Sequence, residues 1–320
     1  MGIEKAFDDF QKIVNADKDR VDVARGRRDI FKKAFNAEAD IAEVFGSGSL
    51  ARSTQLDPVH DVDLVAVYNA DDHPDWGTPG ESAADALEYT RGRIKDMLGA
   101  THGTVDKLVR HTRWRNHAVK CWIDPPELPD AFTVDVMPAM RQANGTLLVP
   151  QVATEEWITV DPEYLISAVA DHQRDWEYFR PLVRILKRWR HSVPTQVKSL
   201  VMEVLALKCM PRSGNRPEAL RTFFTAAAIQ VNLGVVDPAG HCGPIQGDLD
   251  VAVLRAALEN ASDVAARACV EAANGNTDEA QRAWQDIFGP DFPAPTQKLS
   301  SGITAPALIT TRPVRDAPQG

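Results

Sequence analysis

Two kinds of hydrophobic periodicity divide this chain, and that division restricts its fold more than any single motif. Up to about residue 150, several apolar runs alternate at the period of a strand. From about Glu155 onward the strand signals stop and the apolar runs repeat at helical spacing. The strand-like segments are DIAEVF, DVDLVAVY, TVDKLVRHT, AVKCWID and AFTVDVMPAM, the last following the proline-rich loop DPPELPD. Residues 4–35 precede them as helices, with Phe7, Phe10 and Val14 at helical spacing. The later helical runs are PEYLISAVADHQRDWEYFRPLVRILKRWRHSV, QVKSLVMEVLALKCM, PEALRTFFTAAAIQV, DLDVAVLRAALENASDVAARACVEAANG and TDEAQRAWQDIFG. The expected fold is α+β: a mixed β-sheet with helices over 1–150, joined to an all-helical lobe over 151–293, with a cleft between them. Residues 294–320 are polar, proline-containing and without periodicity, and are expected to form a flexible tail.

Charge and composition narrow the function classes. A formal net charge of −9 over 320 residues argues against a protein that coats duplex nucleic acid, although it leaves room for a small basic pocket. There is no run of about 18 apolar residues, so no membrane-spanning helix is expected. The start, MGIEKAFDDF, is charged and lacks the apolar core of a signal peptide. A cytoplasmic chain is the expectation. Cys121, Cys209, Cys242 and Cys269 are scattered and are expected as buried free thiols; His241 and Cys242 adjoin in a Gly/Pro loop that supplies no further zinc ligand.

The chemistry concentrates in FGSGSLARSTQLDPVHDVDLVAVY, residues 45–68. A strand turns successive side chains to opposite faces, so Asp61 and Asp63 share a face with Val65 and Val67. In FTVDVMPAM the apolar Phe132, Val134 and Val136 take one face and Asp135 the other, mid-strand. Three strand carboxylates need a positive partner. Mg2+ takes oxygen ligands and keeps water and substrate phosphates in its shell, and two such ions can clamp both the attacking and the leaving oxygen of a phosphoryl displacement. Gly48 allows close backbone approach to a phosphate, with its N–H and that of Ser49 turned inward. A glycine-serine turn or a D-x-D alone is common. The ordered set of turn, D-x-D strand and lone mid-strand aspartate is far more specific than either.

With these motifs the sequence resembles the nucleotidyltransferases of the DNA polymerase β superfamily, and within it the cGAS/DncV-like nucleotidyltransferases (CD-NTases). The resemblance rests on GSLARST, DVD and VDVMPA, continues through LVRILKRW and VKSLVMEVLAL, and closes on VVDP and AANGNTDEAQRAWQDIFGPDFP. It implies a polymerase β-like palm joined to a helical lobe of the oligoadenylate synthase type, with the active site between them. Asp61, Asp63 and Asp135 become the metal-binding triad for two Mg2+ ions, with Mn2+ as an alternative. Gly48, Ser49, Arg52 and Thr54 from the palm, and Lys187 and Ser199 from the helical lobe, become triphosphate contacts. GSGS holds two Gly-Ser pairs; the second is chosen because Arg52 and Thr54 follow it at the family spacing. In the helical half, Arg184, Lys187, Arg188 and His191 form a basic stripe that reads either as an ordinary solvated face or, with the resemblance, as one facing the cleft.

The implied activity joins nucleoside triphosphates (ATP, with GTP, UTP or CTP as further candidates) into a cyclic di- or trinucleotide second messenger. Pyrophosphate is released, and the setting is bacterial anti-phage signalling. Alternatives are another polymerase β-type nucleotidyltransferase, acting on a linear oligonucleotide, tRNA, protein or small molecule, and a non-catalytic nucleotide sensor. The segment Lys107–Lys120 (KLVRHTRWRNHAVK) reads as a charge-protected strand edge or a contact for a polyanion. Trp157 and Trp176 read as packing residues. Some relatives are joined to other molecules through a C-terminal residue, so Gly320 is a candidate for a ubiquitin-transfer-like enzyme.

Overall fold

The computed structural model of the protein describes residues 2–99 and 108–295. The chain begins with α1 (Ile3–Val14) and α2 (Lys18–Phe35), then β1 (Ile41–Ser47), the short α3 (Gly48–Arg52), β2 (Asp61–Tyr68) and α4 (Ser82–Leu98). Strands β3 (His111–Trp114), β4 (Val119–Trp122), β5 (Thr133–Arg141), β6 (Leu147–Gln151) and β7 (Glu156–Val160) follow. The rest is helical: α5 (Pro162–Asp175), α6 (Phe179–Trp189), α7 (Ser199–Cys209), α8 (Arg216–Gln230), α9 (Val251–Ala273) and α10 (Thr277–Phe288).

The strands form one mixed sheet in the order β1-β2-β5-β4-β3, with β6 joining β5 and β7 joining β6. Among the described residues only β2 and β5 run parallel; the other pairs are antiparallel. The two central strands are apolar because both faces are covered over most of their length. Val62, Leu64, Ala66, Val134 and Val136 pack against Val21 and Phe31 of α2 and Leu87 and Ile94 of α4. The opposite face carries a smaller cluster of Val65, Val67, Ala139, Leu147 and Val149 at one end. Its other end carries the aspartates and faces the helical lobe across a cavity.

The expected 150/151 boundary is crossed in both directions. Helix α1 packs Phe7 and Phe10 against Trp284, Phe288 and Phe292, inside the core of the helical half. Strand β7 lies beyond residue 150 and pairs with β6, so the strand signal does not end at Glu155. Its residues Trp157 and Ile158 are half-buried at the sheet's end, which leaves no clean alternation to read. Helix α4 and strand β6 have no counterpart among the expected elements.

The basic segment runs through β3, which is an edge strand as expected, and ends with Lys120 on β4, which is flanked on both sides. Of TVDKLVRHT only the end is described; residues 100–107 and the tail with Gly320 lie outside the described residues. Trp176 is buried and donates to the Gly214 carbonyl, and half-buried Trp157 donates to Ser82 Oγ. Among the described residues no helix is long and apolar enough to cross a membrane. All four cysteines are free, but Cys242 is exposed, against the expectation, with Sγ 3.1 Å from the Thr159 carbonyl at the cavity wall.

Candidate active site

The sheet register aligns the acidic residues. Asp63 on β2 lies directly opposite Asp135 on the parallel β5, and Asp61 is two residues before Asp63 on the same face. All three line a cavity of about 510 Å³ together with Gly48, Ser49 and Arg52 from α3 and Ser199 from the start of α7. Leu165, Leu200, Pro244 and Ile245 supply an apolar wall from the helical lobe, and Asp161, which caps α5 by accepting from the Tyr164 N–H, lies at the rim. A cleft with a charged floor and an apolar far wall suits a nucleotide, whose phosphates and base differ in the same way.

The carboxylates are held in a costly state. Burial, then repulsion from Asp61 and Asp135, pushes the Asp63 carboxyl up to about 6. Burial also raises Asp135, and Lys120 and Arg115 pull it part of the way back. Asp135 Oδ1 is buried and accepts no hydrogen bond. Among the described residues no three acidic, His or Cys side chains are gathered tightly enough to cage an ion by themselves. Like charges brought together are relieved either by a proton, as the raised Asp63 carboxyl shows, or by a cation. The oxygen chemistry of the set and the unpartnered Oδ1 fit a hard divalent cation.

This has a measurable consequence without catalysis. A carboxyl raised in the folded state binds its proton more tightly there than in the unfolded chain. Its stabilising contribution is complete below pH ~4 and is lost as pH rises through about 6. The loss is on the order of 2 kcal/mol after allowing for partial exposure. In the absence of divalent ions, Asp63→Asn is therefore expected to gain more in melting temperature over wild type at pH 7.5 than at pH 4.5. Mg2+ at pH 7.5 is expected to raise wild type more than the variant. Parallel melting curves at both pH values, with equal responses to Mg2+, would show that the Asp63 carboxyl is not raised in the folded state.

Two expected phosphate contacts sit elsewhere. Lys187 is only 3 % exposed and does not line the cavity. Its ammonium donates to the Thr54 carbonyl at 2.8 Å and to Glu203 Oε1 at 3.0 Å. Arg52 reaches the same carboxylate, with Nε 2.8 Å from Oε2 and Nη2 3.3 Å from Oε1. Thr54 is fully buried and its hydroxyl has no partner. Nor does the basic stripe of α6 face the cleft as one surface. Arg184 binds Asn15 Oδ1 and the Ser53 carbonyl, Arg188 pairs with Asp291 on the exterior, and His191 is exposed.

Together these contacts clamp the turn after α3 to α6 and α7, and so set where Gly48 and Ser49 stand relative to Ser199. Glu203 is the residue that sequence reasoning missed. Burial pushes its carboxyl up, but Arg52 and Lys187 outweigh that and hold it below the ordinary range. Removing one member of such a buried group leaves an uncompensated charge. The signal was visible as a single carboxylate inside the apolar run VMEVLAL of α7. Lys120, opposite Asp135 on β4, was also missed as a neighbour of the triad.

A family model for the Second Messenger Oligonucleotide or Dinucleotide Synthetase domain (SMODS) matches residues 1–172. The chain belongs to the SMODS family. The matched region of the SMODS domain contains α3, the whole sheet and all three aspartates. Over 288 residues the protein is 23% identical to a cyclic AMP-AMP-AMP synthase from Acinetobacter sp., covering 83% of this chain and 77% of that one. Escherichia coli MS115-1 CdnC, solved with ATP, superposes with a TM-score of 0.68 at 17% identity, covering 91% of this chain and 99% of that one. Bradyrhizobium diazoefficiens CdnG, solved with GTP, gives 0.61 at 12% identity, covering 88% and 98%. The polymerase β-like CD-NTase fold therefore extends past the SMODS match through the helical lobe.

Proposed function

We propose that the protein is a cyclic-oligonucleotide synthase that joins nucleoside triphosphates into a cyclic di- or trinucleotide messenger for anti-phage signalling. The observation that carries this reading is the register of Asp63 with Asp135 at the floor of a cavity that Gly48, Ser49 and Ser199 complete from two sides. The palm turn and the start of α7 grip the donor triphosphate between backbone N–H groups and the Ser199 hydroxyl. A ribose hydroxyl oxygen of a second nucleotide forms a bond to the donor α-phosphorus, the bond from that phosphorus to the β-phosphate bridge breaks, and pyrophosphate leaves. The hydroxyl proton passes to water. Further rounds lengthen the chain, and the last joins its two ends. Asp61, Asp63 and Asp135 would hold two Mg2+ ions, with Mn2+ able to substitute, and the bound metal would supply the positive charge that acidifies the hydroxyl and neutralises the leaving group.

Arg52 serves the triphosphate from the cavity wall and Lys187 from behind it. They add two positive charges against the single negative charge of Glu203 and fix the turn that carries Gly48. The ATP-bound and GTP-bound relatives support nucleoside triphosphates as substrates. The test incubates the protein with labelled ATP, GTP, CTP and UTP and Mg2+, then treats the products with phosphatase before chromatography. A phosphatase-resistant product supports the ring. Products that all lose their terminal phosphates indicate a linear oligonucleotide maker. No pyrophosphate from any nucleotide indicates a sensor.

A further inference from the structure

The register that aligns Asp63 with Asp135 does not stop there. Ser47 on β1 lies opposite Asp63, Asp135 lies opposite Lys120 on β4, and Lys120 lies opposite Arg113 on β3. Residues in register share a face, so Ser47, Asp63, Asp135, Lys120 and Arg113 form one row across five strands. With strands about 4.8 Å apart, Lys120 is one step and Arg113 two steps from Asp135. Burial agrees with this placement: Thr112, Val119 and Cys121 point into the core, while Lys120 is half-buried and Arg113 exposed. At the hairpin end, Arg115 bonds through its backbone to Ala118, which lines the active-site cavity.

None of Arg113, Arg115 and Lys120 makes an ion pair within 4 Å among the described residues, although Lys120 and Arg115 act on Asp135 at longer range; Arg91, Arg141 and Arg174 elsewhere on the surface are paired directly. A second cavity of about 590 Å³ opens over this edge, lined by Arg113, Trp114, Arg115, Asn116, Val152 and Ala153. Charge on an edge strand guards against pairing with another chain, and that accounts for Arg113. It does not account for Lys120, because β4 is flanked on both sides.

In-line displacement sets the direction. The leaving pyrophosphate departs toward Gly48 and Ser49, beside Ser47 at one end of the row. The attacking nucleotide must therefore approach from the far side of the α-phosphorus, over β4 and β3. That nucleotide carries phosphates of its own, which the acidic centre repels. We infer that Lys120, Arg113 and Arg115 form a second phosphate site, which holds the 5′-phosphates of the acceptor nucleotide and of the linear intermediate. The site rests on the proposed synthase reading. It places the negative charge of the acceptor on the basic end of the row and leaves the ribose hydroxyl over Asp135.

Equilibrium binding tests the site without turnover. The probes are linear dinucleotides of adenylate, guanylate, cytidylate and uridylate, each with a 5′-triphosphate or a 5′-hydroxyl. Wild type is expected to favour the triphosphate form, and Arg113→Ala/Arg115→Ala to reduce that preference by about tenfold or more, as lost charge-assisted contacts imply. The salt dependence of binding should weaken in parallel. Both arginines are exposed, so the variant is expected to keep the wild-type melting temperature. Lys120→Met should reduce the same preference. A double variant that keeps the wild-type preference overturns the site. So does a Lys120→Met effect confined to the Mg2+ response, which would assign Lys120 to Asp135 alone. If wild type releases no pyrophosphate from any nucleotide, it is the synthase reading that fails; an active wild type with unaltered variants removes only the second site.

Discussion

Asp135→Asn is expected to lower the rate of pyrophosphate release at least about 1,000-fold, a loss of roughly 4 kcal/mol of transition-state stabilisation, without lowering the melting temperature. The amide has nearly the shape of the carboxylate, so β5 and its pairing with β2 and β4 are kept. What disappears is one negative charge at the point where a divalent cation must be held, and one of two oxygens. The Oδ1 that now lacks a partner shows that the folded chain makes no structural use of that atom. Burial already raises this carboxyl, so neutralising it removes a cost from the fold. Loss of activity and retained or increased stability are therefore expected together. Initial rates of pyrophosphate release and a melting curve on the same preparation check both. A variant that keeps more than about a tenth of the rate, or that melts well below wild type, removes Asp135 from the reacting centre.

Gly48→Ala is the second large effect. Gly48 has φ +68°, a conformation that L side chains rarely adopt, and a Cβ there would lie 2.6 Å from Asp63 Cγ and nearer still to its Oδ2. The strain alone costs about 1 kcal/mol or more. The collision cannot be relieved by a flexible chain end, because Asp63 sits on a central strand bonded on both sides. Either the carboxylate or α3 must move, and a displacement of about 1 Å at a reacting centre costs on the order of 100-fold. The companion variant is Gly46→Ala. Its Cβ would meet Arg28 Cδ at 3.3 Å, on a side chain that can give way, and Ala51 Cβ at an ordinary 4.0 Å. The two Gly-Ser pairs in GSGS are thus separable by experiment: Gly48→Ala is expected to abolish synthesis and Gly46→Ala to leave most of it. Equal damage from both would mean that the second pair is not the one facing the triphosphate.

The acidic centre was legible because strand alternation is a local rule. Two aspartates spaced by one residue share a face in any strand, and a lone aspartate among Phe132, Val134 and Val136 must take the other face, whatever lies around it. The helical half was legible for the same reason, since a 3.6-residue period is written in consecutive residues. The destination of each face was not. Lys187 and Arg184 lie on a stripe that reads as solvated or phosphate-facing, yet Lys187 is buried and Arg184 half-buried against the turn after α3. The carboxylate that decides this for Lys187, Glu203, is 16 residues away along the chain, and 151 residues separate it from Arg52. Helix α1 reads as part of the N-terminal half because it is first in the chain, but its phenylalanines find their partners near residue 290. Lys120 reads as one cation in a basic run until the β4–β5 register places it opposite Asp135. Periodicity is set by neighbours in sequence, so the sequence by itself determined which residues share a face. Charge compensation is set by neighbours in space, where burial makes an unpaired ion costly, so only the tertiary structure decided which cations hold the two lobes together and which remain free beside the carboxylates.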